Sequence, residues 1–196
     1  MGADPYGRFA LLFLLFAFVH SLTAADFFKR RVKTLLGVEG KSYRLAYNLL
    51  SVLSAVPFTV IWLSARRETP LLLHLEGWVA LLAVLLKLAG AAIIIAGVVQ
   101  TGAAEFLGLK PERKRLVTSG LYARVRHPMY LGALLFLWAT PVLYALDLLL
   151  CILATLYLIF GMYVEERRLL AGFGSAYESY RSRVPALIPV PRRPKS

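Results

Sequence analysis

The residues around position 127 have the types and spacing that could bind a reactive ligand. His127-Pro128 stands where an apolar run begins. Proline suits the first turn of a helix and disfavours helical geometry at the preceding residue, so we expect His127 on the loop side of a helix N-terminus. The N–H groups of such a turn attract an anion such as a carboxylate. Tyr130 and Gly132 follow on the same turn, which offers a phenol and close approach to the backbone.

Two adjacent carboxylates, Glu165 and Glu166, close the last long apolar run. They could bind a cationic group or the hydroxyls of a ligand. They could also form surface ion pairs with Arg167 and Arg168, which are worth only about 0–1 kcal/mol. The residues alone leave both interpretations open.

The composition predicts the environment in which these residues work. The 196 residues are 59 % hydrophobic and 17 % charged, with a net charge of +12, whereas soluble domains are roughly 45–50 % apolar. We therefore expect a membrane protein of one compact domain, whose basic residues face phospholipid head groups and not nucleic acid. A single cysteine, Cys151, excludes a disulfide framework and a paired-cysteine zinc site, and we predict no metal site.

The apolar runs predict an all-α, polytopic fold of about five transmembrane helices with a cytoplasmic C-terminal cofactor-binding segment. The last apolar run, 129–164, is too long for one span; it is broken near Asp147 and, upstream, by Pro141, and we expect two short spans joined by a tight turn. The predicted spans are residues 6–28, 47–64, 78–99, 129–146 and 148–164.

The distribution of lysine and arginine predicts the orientation of these helices. Basic residues cluster in 29–44, 110–126 and 167–195, which follow the first, third and fifth predicted spans and so lie on one side of the membrane. Because basic loops stay in the cytoplasm, we expect an integral protein of a bacterial inner membrane, with its N-terminus outside and its C-terminus inside.

Ionisable residues within the predicted spans are candidates for function because burying them in lipid is costly. His20 and Asp26 fall in the first span and Lys87 in the third. Lys87 could equally reach towards the interface or pair with a neighbouring helix.

Other polar and small residues have structural interpretations. Asn48 either caps the second helix or bonds between helices, and Gly90 and Gly97 form a small-residue seam that predicts helix packing.

Several motifs in order resemble one known family. They are RLVTSGLY at 115–122, RHPMYLG at 126–132, the pair 165–166, FGSAYESY at 173–180 and Val184-Pro185. Together they resemble the isoprenylcysteine carboxyl methyltransferase superfamily of integral-membrane, S-adenosylmethionine-dependent methyltransferases, over about residues 98–189. The first half, with 20–22, 43–44 and 47–48, is similar to the bacterial branch that includes methanethiol S-methyltransferases.

The resemblance implies a site for S-adenosyl-L-methionine, with S-adenosyl-L-homocysteine as product. It implies that residues 127–130 hold the amino-acid end of the cofactor and that Glu165 binds one of its polar groups. The expected cofactor-binding residues are Gln100, Lys114, Arg115, Leu116, Val117, Gly120, Tyr122, His127, Pro128, Met129, Tyr130, Gly132, Glu165 and Glu166. The expected catalytic residues are His127, Tyr130, Arg126 and His20.

The acceptor is expected to be small or lipophilic, with a thiol favoured, and membrane lipids are the other expected partner. The arginine with which the eukaryotic carboxyl-methylating enzymes bind substrate would fall at Gly161, which cannot pair with a carboxylate. The alternatives are lipid amine N-methylation, prenylcysteine-type carboxyl O-methylation, and a non-catalytic membrane binding or assembly protein. We expect one membrane-embedded domain over residues 1–196, with helices in 1–99, a catalytic region in 100–189 and a tail in 190–196.

Overall fold

A computed structural model describes residues 4–110 and 115–189, and these are mainly helical. The helices are α1 (Pro5–Ala24), α2 (Asp26–Leu36), α3 (Gly40–Ala65), α4 (Gly77–Thr101), α5 (Ala103–Phe106), α6 (Pro128–Trp138), α7 (Ala145–Phe173) and α8 (Ser175–Arg183). Two short strands, β1 (Leu71–His74) and β2 (Val142–Tyr144), pair antiparallel. Single 3-10 turns occupy Arg66–Glu68 and Gly120–Ala123.

Four of the described helices are long and apolar enough to cross a membrane. They are Pro5–Ala24, Gly40–Glu68 with its terminal 3-10 turn, Gly77–Thr101 and Ala145–Phe173, while Pro128–Trp138 is apolar but shorter. This confirms the prediction of an all-α, polytopic membrane protein.

The first predicted span was too long. Helix α1 ends at Ala24 because Ala25 takes an extended conformation (φ −72°, ψ 139°). A new helix then starts at Asp26, whose charge suits a helix N-terminus. Asp26 is exposed and pairs with Lys29 at 3.5 Å, so its predicted place within the first membrane helix was wrong.

The last two helices divide around Pro141, the upstream of the two predicted breaks, so the predicted span boundary near Asp147 was wrong. Helix α6 ends at Trp138, and the chain passes Pro141 into β2 before α7 begins. The sequence did not reveal this strand, whose three residues find a partner 70 positions away: Tyr144 faces Leu71, and Val142 faces His74.

Asp147 does not break a helix, contrary to prediction, but lies buried in the first turn of α7. Its carboxylate accepts hydrogen bonds from Trp62 Nε1 (2.7 Å), Arg66 Nη2 (3.0 Å) and the Tyr144 N–H (2.9 Å). These donors satisfy the buried charge, and α7 continues beyond the predicted end at residue 164 to Phe173.

The described residues form two compact units, with α7 contributing to both. The first contains 4–74, 103–110 and 142–153. Within it α1 packs along α3, and its centre is a group of aromatic rings from Phe9, Phe13, Phe16 and Phe58, with centroids 5.2–6.2 Å apart.

The second unit contains 75–102, 115–141 and 154–189, and in it α4 packs along α6. The contact depends on glycine: a Cβ at Gly90 would lie 2.6 Å from the Gly132 carbonyl oxygen, and one at Gly132 equally near the Gly90 oxygen. At Gly97 a Cβ would meet the Met129 side chain at 2.5 Å. The seam predicted at Gly90 and Gly97 is therefore a helix-packing surface.

Lys87 pairs with a neighbouring helix, one of its two expected arrangements. Its Nζ donates to the Phe136 carbonyl oxygen (2.8 Å) and lies 4.6 Å from the centre of the Phe136 ring. Because that carbonyl belongs to the last turn of α6, the lysine caps the negative end of the helix.

Candidate functional site

The loop that leads to His127 is tied to the end of α4 by Gln100. The Gln100 side-chain oxygen accepts the Leu121 N–H (3.1 Å), and its carbonyl oxygen accepts Arg115 Nη2 (2.7 Å). Gly120 makes this possible: its φ of +62° suits glycine, and a Cβ would lie 2.7 Å from the Gln100 side chain. The structure thus places Gln100, Arg115 and Gly120 together.

His127 precedes α6 as the His-Pro pair predicted. It is the N-cap residue, Pro128 occupies the first helical position, and no side chain caps this N-terminus. The Arg126 N–H donates to the Pro185 carbonyl oxygen (2.9 Å) and the His127 N–H to that of Ala186 (3.0 Å). The segment after α8 therefore fixes the backbone just before the helix.

Glu166 is the centre of a buried polar network. Its Oε1 accepts from Arg126 Nε (2.8 Å), His127 Nε2 (2.8 Å) and the Tyr177 hydroxyl (2.7 Å), and Oε2 lies 3.4 Å from Arg181 Nε. Only 15 % of its side chain is exposed. A charge buried to this extent needs such partners, and they lie on other elements and not at the adjacent arginines.

These contacts settle the tautomer of a neutral His127. A carboxylate oxygen can only accept, so Nε2 carries the hydrogen and Nδ1 has the lone pair. Nδ1 lies 3.7 Å from Glu165 Oε2. Glu165 is more exposed than Glu166, with 42 % of its side chain accessible.

Tyr130 stands beside His127, and its phenol reaches α7. The two rings meet edge to face, with centroids 5.4 Å apart. A Cβ at Gly161 would lie 3.3 Å from the Tyr130 hydroxyl oxygen, so the phenol takes the space next to the glycine. Gly161 and Glu165 are four residues apart and share one face of α7.

The hydroxyl of Tyr122 is buried and makes no hydrogen bond within the part of the chain that the structure describes. The nearby Thr101 hydroxyl slightly lowers the pKa of the Tyr122 phenol. Thr101 itself donates its hydrogen to the carbonyl oxygens of Gly97 and Val98 in α4. Burial, and secondly the negative charge of Glu165, raise the pKa of Tyr122 to about 12. This buried hydroxyl could bond a polar group of a ligand.

Two tyrosines of α8 belong to the site, although they were not among the predicted site residues. Tyr177 donates to Glu166, and Tyr180 donates to the Tyr122 carbonyl oxygen (2.6 Å). Burial and the hydrogen bond to Glu166 raise the pKa of Tyr177 above its usual range. Their spacing of three residues was the available signal, since it puts both rings on one helix face.

The remaining predicted residues are placed as follows. Leu116 and Val117 lie half-buried in the loop, while Met129 and Gly132 pack towards α4 at Gly97 and Gly90. Lys114 lies outside the described residues. The cofactor contacts expected of all five stay predictions.

His20 belongs to the first unit, where α3 satisfies it. Its Nδ1 lies 2.9 Å from Ser51 Oγ and its Nε2 2.8 Å from the Tyr47 hydroxyl. Nearby, Asn48 donates to the Phe106 carbonyl oxygen (3.2 Å), which makes it a bond between segments and not a cap. The catalytic role expected of His20 stays a prediction.

The described residues contain no group of three or more His, Cys, Asp or Glu that could hold a metal ion.

Comparison with known proteins places this geometry in a family. The model of the family described as "NnrU protein" matches residues 8–186. The chain belongs to the NnrU family. No solved structure gives a significant match.

Several similar curated proteins are named methyltransferases. The chain is 36 % identical to methanethiol S-methyltransferase 2 of Bradyrhizobium diazoefficiens, over 91 % of this chain and 71 % of that protein. It is 32 % identical to a methanethiol S-methyltransferase of a Pseudomonas species, over 92 % and 72 %. It is 40 % identical to the protein-S-isoprenylcysteine O-methyltransferase of Schizosaccharomyces pombe, over 38 % and 33 %.

These matches confirm that this NnrU-family chain is a methyltransferase of the isoprenylcysteine carboxyl methyltransferase superfamily, embedded in a membrane.

Proposed function

We propose that this protein transfers a methyl group from S-adenosylmethionine to the sulfur of a small, membrane-permeant thiol. The observation that supports this most is the alignment of proteins named methanethiol S-methyltransferase with 91 % and 92 % of the chain. The match to a carboxyl-methylating relative covers only 38 % of it.

The residues of the second unit fit the polar groups of this donor. The N-terminus of α6, which no side chain caps, suits the donor's carboxylate. The half-exposed Glu165 suits its ammonium group or ribose, and the orphaned Tyr122 hydroxyl can bond another polar atom. The face of Tyr130 can attract a sulfonium by a cation–π interaction of roughly 0.5–2 kcal/mol. When bound, the donor supplies a methyl group activated by its positive sulfur.

The acceptor is argued from Gly161. Gly161 has no charged side chain, and the phenol of Tyr130 lies against it. A carboxylate substrate would find no cation there, whereas a small neutral thiol needs none. The chain's contribution is then to align the sulfur with the methyl carbon and exclude water, which is worth up to about 7–11 kcal/mol in favourable cases.

The setting we propose is a bacterial inner membrane with the site on the cytoplasmic side. It rests on the basic clusters, including Arg115, Arg124 and Arg126 in the site loop. All parts of the chain act in this proposal as one methyltransferase domain.

The test uses purified protein in lipid nanodiscs with donor labelled in its methyl group. Alkyl thiols, prenylated cysteine and aminophospholipids are offered separately, and labelled product is counted. We expect label in the thioether. Label in the lipid amine or the carboxyl ester instead would contradict the proposed acceptor, and failure to bind the donor would contradict the proposed donor.

Glu165→Gln tests the donor site within the same assay. Loss of a charge-assisted hydrogen bond costs about 1.5–3 kcal/mol, so we expect donor binding, measured by calorimetry, to weaken roughly 10–100-fold. Glu68→Gln is the matched control, because Glu68 is exposed in the first unit. Equal affinities of the two variants would exclude Glu165 from the site.

A further inference from the structure

We propose that Nδ1 of His127 accepts the proton of the acceptor thiol, and that Glu166 positions the imidazole for this step. The inference rests on the proposed function and names the group that activates the nucleophile. The S–H bond breaks as its proton moves to Nδ1. The thiolate sulfur then bonds to the methyl carbon while the carbon–sulfonium bond breaks, and that electron pair stays on the donor sulfur. His127 afterwards returns the proton to water.

The step is needed because thiolate, and not thiol, is the nucleophile. Alkyl thiols are mostly protonated at neutral pH, since even the cysteine thiol has a pKa of about 8.5. A thiol entering from the bilayer arrives neutral, so a base within the protein must ionise it.

The hydrogen-bond network leaves one ring nitrogen for this work. Glu166 Oε1 accepts from His127 Nε2 at 2.8 Å, so a neutral imidazole carries its hydrogen on Nε2 and its lone pair on Nδ1. Arg126 and Tyr177 donate to the same oxygen and hold the carboxylate in place. The His127 side chain is 2 % exposed, so the imidazole cannot turn away to solvent.

Nδ1 faces a second acceptor, Glu165 Oε2, at 3.7 Å. This distance is too long for a direct hydrogen bond. Two hydrogen-bond acceptors, here Nδ1 and the carboxylate oxygen, attract each other only when a hydrogen lies between them. After proton uptake, the imidazolium would stand between two carboxylates, Glu166 at Nε2 and Glu165 at Nδ1. The charged state that the reaction creates is thus stabilised where it forms.

Charged groups of both signs surround His127. The carboxylates of Glu165 and Glu166 face its two ring nitrogens. Arg126 precedes it in the chain, Arg181 of α8 approaches Glu166 at 3.4 Å, and the N-terminus of α6 disfavours a cation. The other titratable groups near it are Tyr130 on α6 and Tyr177 on α8. The proton acceptor that the step requires is the lone pair on Nδ1.

His127→Gln separates this role from simple binding of the donor. The glutamine amide nitrogen can replace Nε2 as donor to Glu166, but the variant has no basic lone pair. We test it in nanodiscs with an alkyl thiol and with a nitro-substituted benzenethiol, which is already ionised at neutral pH. We expect kcat/KM for the alkyl thiol to fall about 100-fold or more. The aryl thiol and the calorimetric donor affinity should change by only a few-fold.

Tyr177→Phe is the matched control, because it removes a neighbouring hydrogen bond to the same Glu166 oxygen and leaves His127 intact. We expect it to lower kcat/KM for the alkyl thiol far less than His127→Gln does, because the base is present and Arg126 still holds the Glu166 carboxylate. Equal losses for the two thiols in His127→Gln, or loss of donor binding, would show that His127 only holds the donor and would overturn the proposal.

The wild-type protein gives an answer that does not depend on folding of a variant. If a base in the site ionises the thiol, the rate with the alkyl thiol should stop rising at a pH well below the thiol's own pKa. A rate that climbs up to that pKa would overturn the proposal. Absence of any thiol product from the wild type would instead refute the proposed function.

Discussion

At Glu166, one carboxylate oxygen accepts hydrogen bonds from a guanidinium, an imidazole and a phenol, contributed by residues 126, 127 and 177. The residue types around His127-Pro128 were enough to predict a helix N-terminus with a site beside it. They could not show that Glu166 would pair with Arg126, 40 positions away, when Arg167 is its neighbour. That choice depends on which elements pack together, and sequence spacing does not contain it.

The tyrosines of α8 should make the fold sensitive to alkali. Burial raises the pKa of Tyr180 from 10.0 to about 12, with Arg126 opposing and Glu166 adding to the effect. Between these pH values the unfolded chain has lost this proton and the folded chain keeps it, so the free energy of unfolding falls as pH rises.

Tyr180→Phe tests this at the level of the residue. The variant should lose part of the decline in unfolding free energy between pH 10 and pH 12, measured by denaturant unfolding in detergent at several pH values. Lysines titrate in the same range but are common to both proteins. Parallel curves would contradict the assignment.

The contact between α4 and α6 depends on the absence of side chains at two facing glycines. The sequence predicted a seam on α4 from the spacing of Gly90 and Gly97, because seven residues return to the same helix face. It did not reveal that Gly132 is the opposite half, since this glycine also belongs to a motif that resembles a cofactor site. A glycine at position 132 fits both a cofactor motif and a helix-packing surface, and only the packing of α4 against α6 showed the second role.

Gly132→Ala should force the two helices apart. Its Cβ would lie 2.6 Å from the Gly90 carbonyl oxygen, and backbone cannot move as a side chain can. We expect a loss of about 1–3 kcal/mol, measured by unfolding in detergent. Gly172→Ala is the matched control, because nothing lies within 4 Å of its Cβ and helical alanine is favoured over glycine by up to about 1 kcal/mol. Equal effects would show that the glycine contact does not set the helix separation.

Element boundaries were predicted well where local residues such as proline set them, and poorly where pairing with a distant segment sets them. Helix α4 covers Gly77–Thr101 against a predicted 78–99, and α6 begins at Pro128, one residue from prediction. Its end was missed because β2 follows Pro141 within the apolar run, and that strand exists through its pairing with β1. Hydropathy alone cannot distinguish a strand from a helix within an apolar run.

For the whole molecule, composition and charge predicted the class correctly. An apolar chain with basic loops is a membrane protein here, and its family confirms that it is a methyltransferase. Composition does not encode the proposed acceptor, which we argued from the contact between Tyr130 and Gly161. That contact depends on how α6 and α7 pack.

The brevity of α6 has a mechanical consequence for the surrounding lipid. Its 11 residues rise about 16 Å, which is roughly half of a hydrocarbon core of about 30 Å. The last turn of α6 is capped by Lys87 and not by lipid head groups. Such a hydrophobic mismatch is relieved when the bilayer thins locally. We expect nanodiscs of short-chain lipids to support faster methyl transfer and higher thermal stability than long-chain ones at equal head-group charge. Rates that do not vary with chain length would mean that protein alone surrounds the end of this half-helix, so that membrane thickness has no influence on the enzyme.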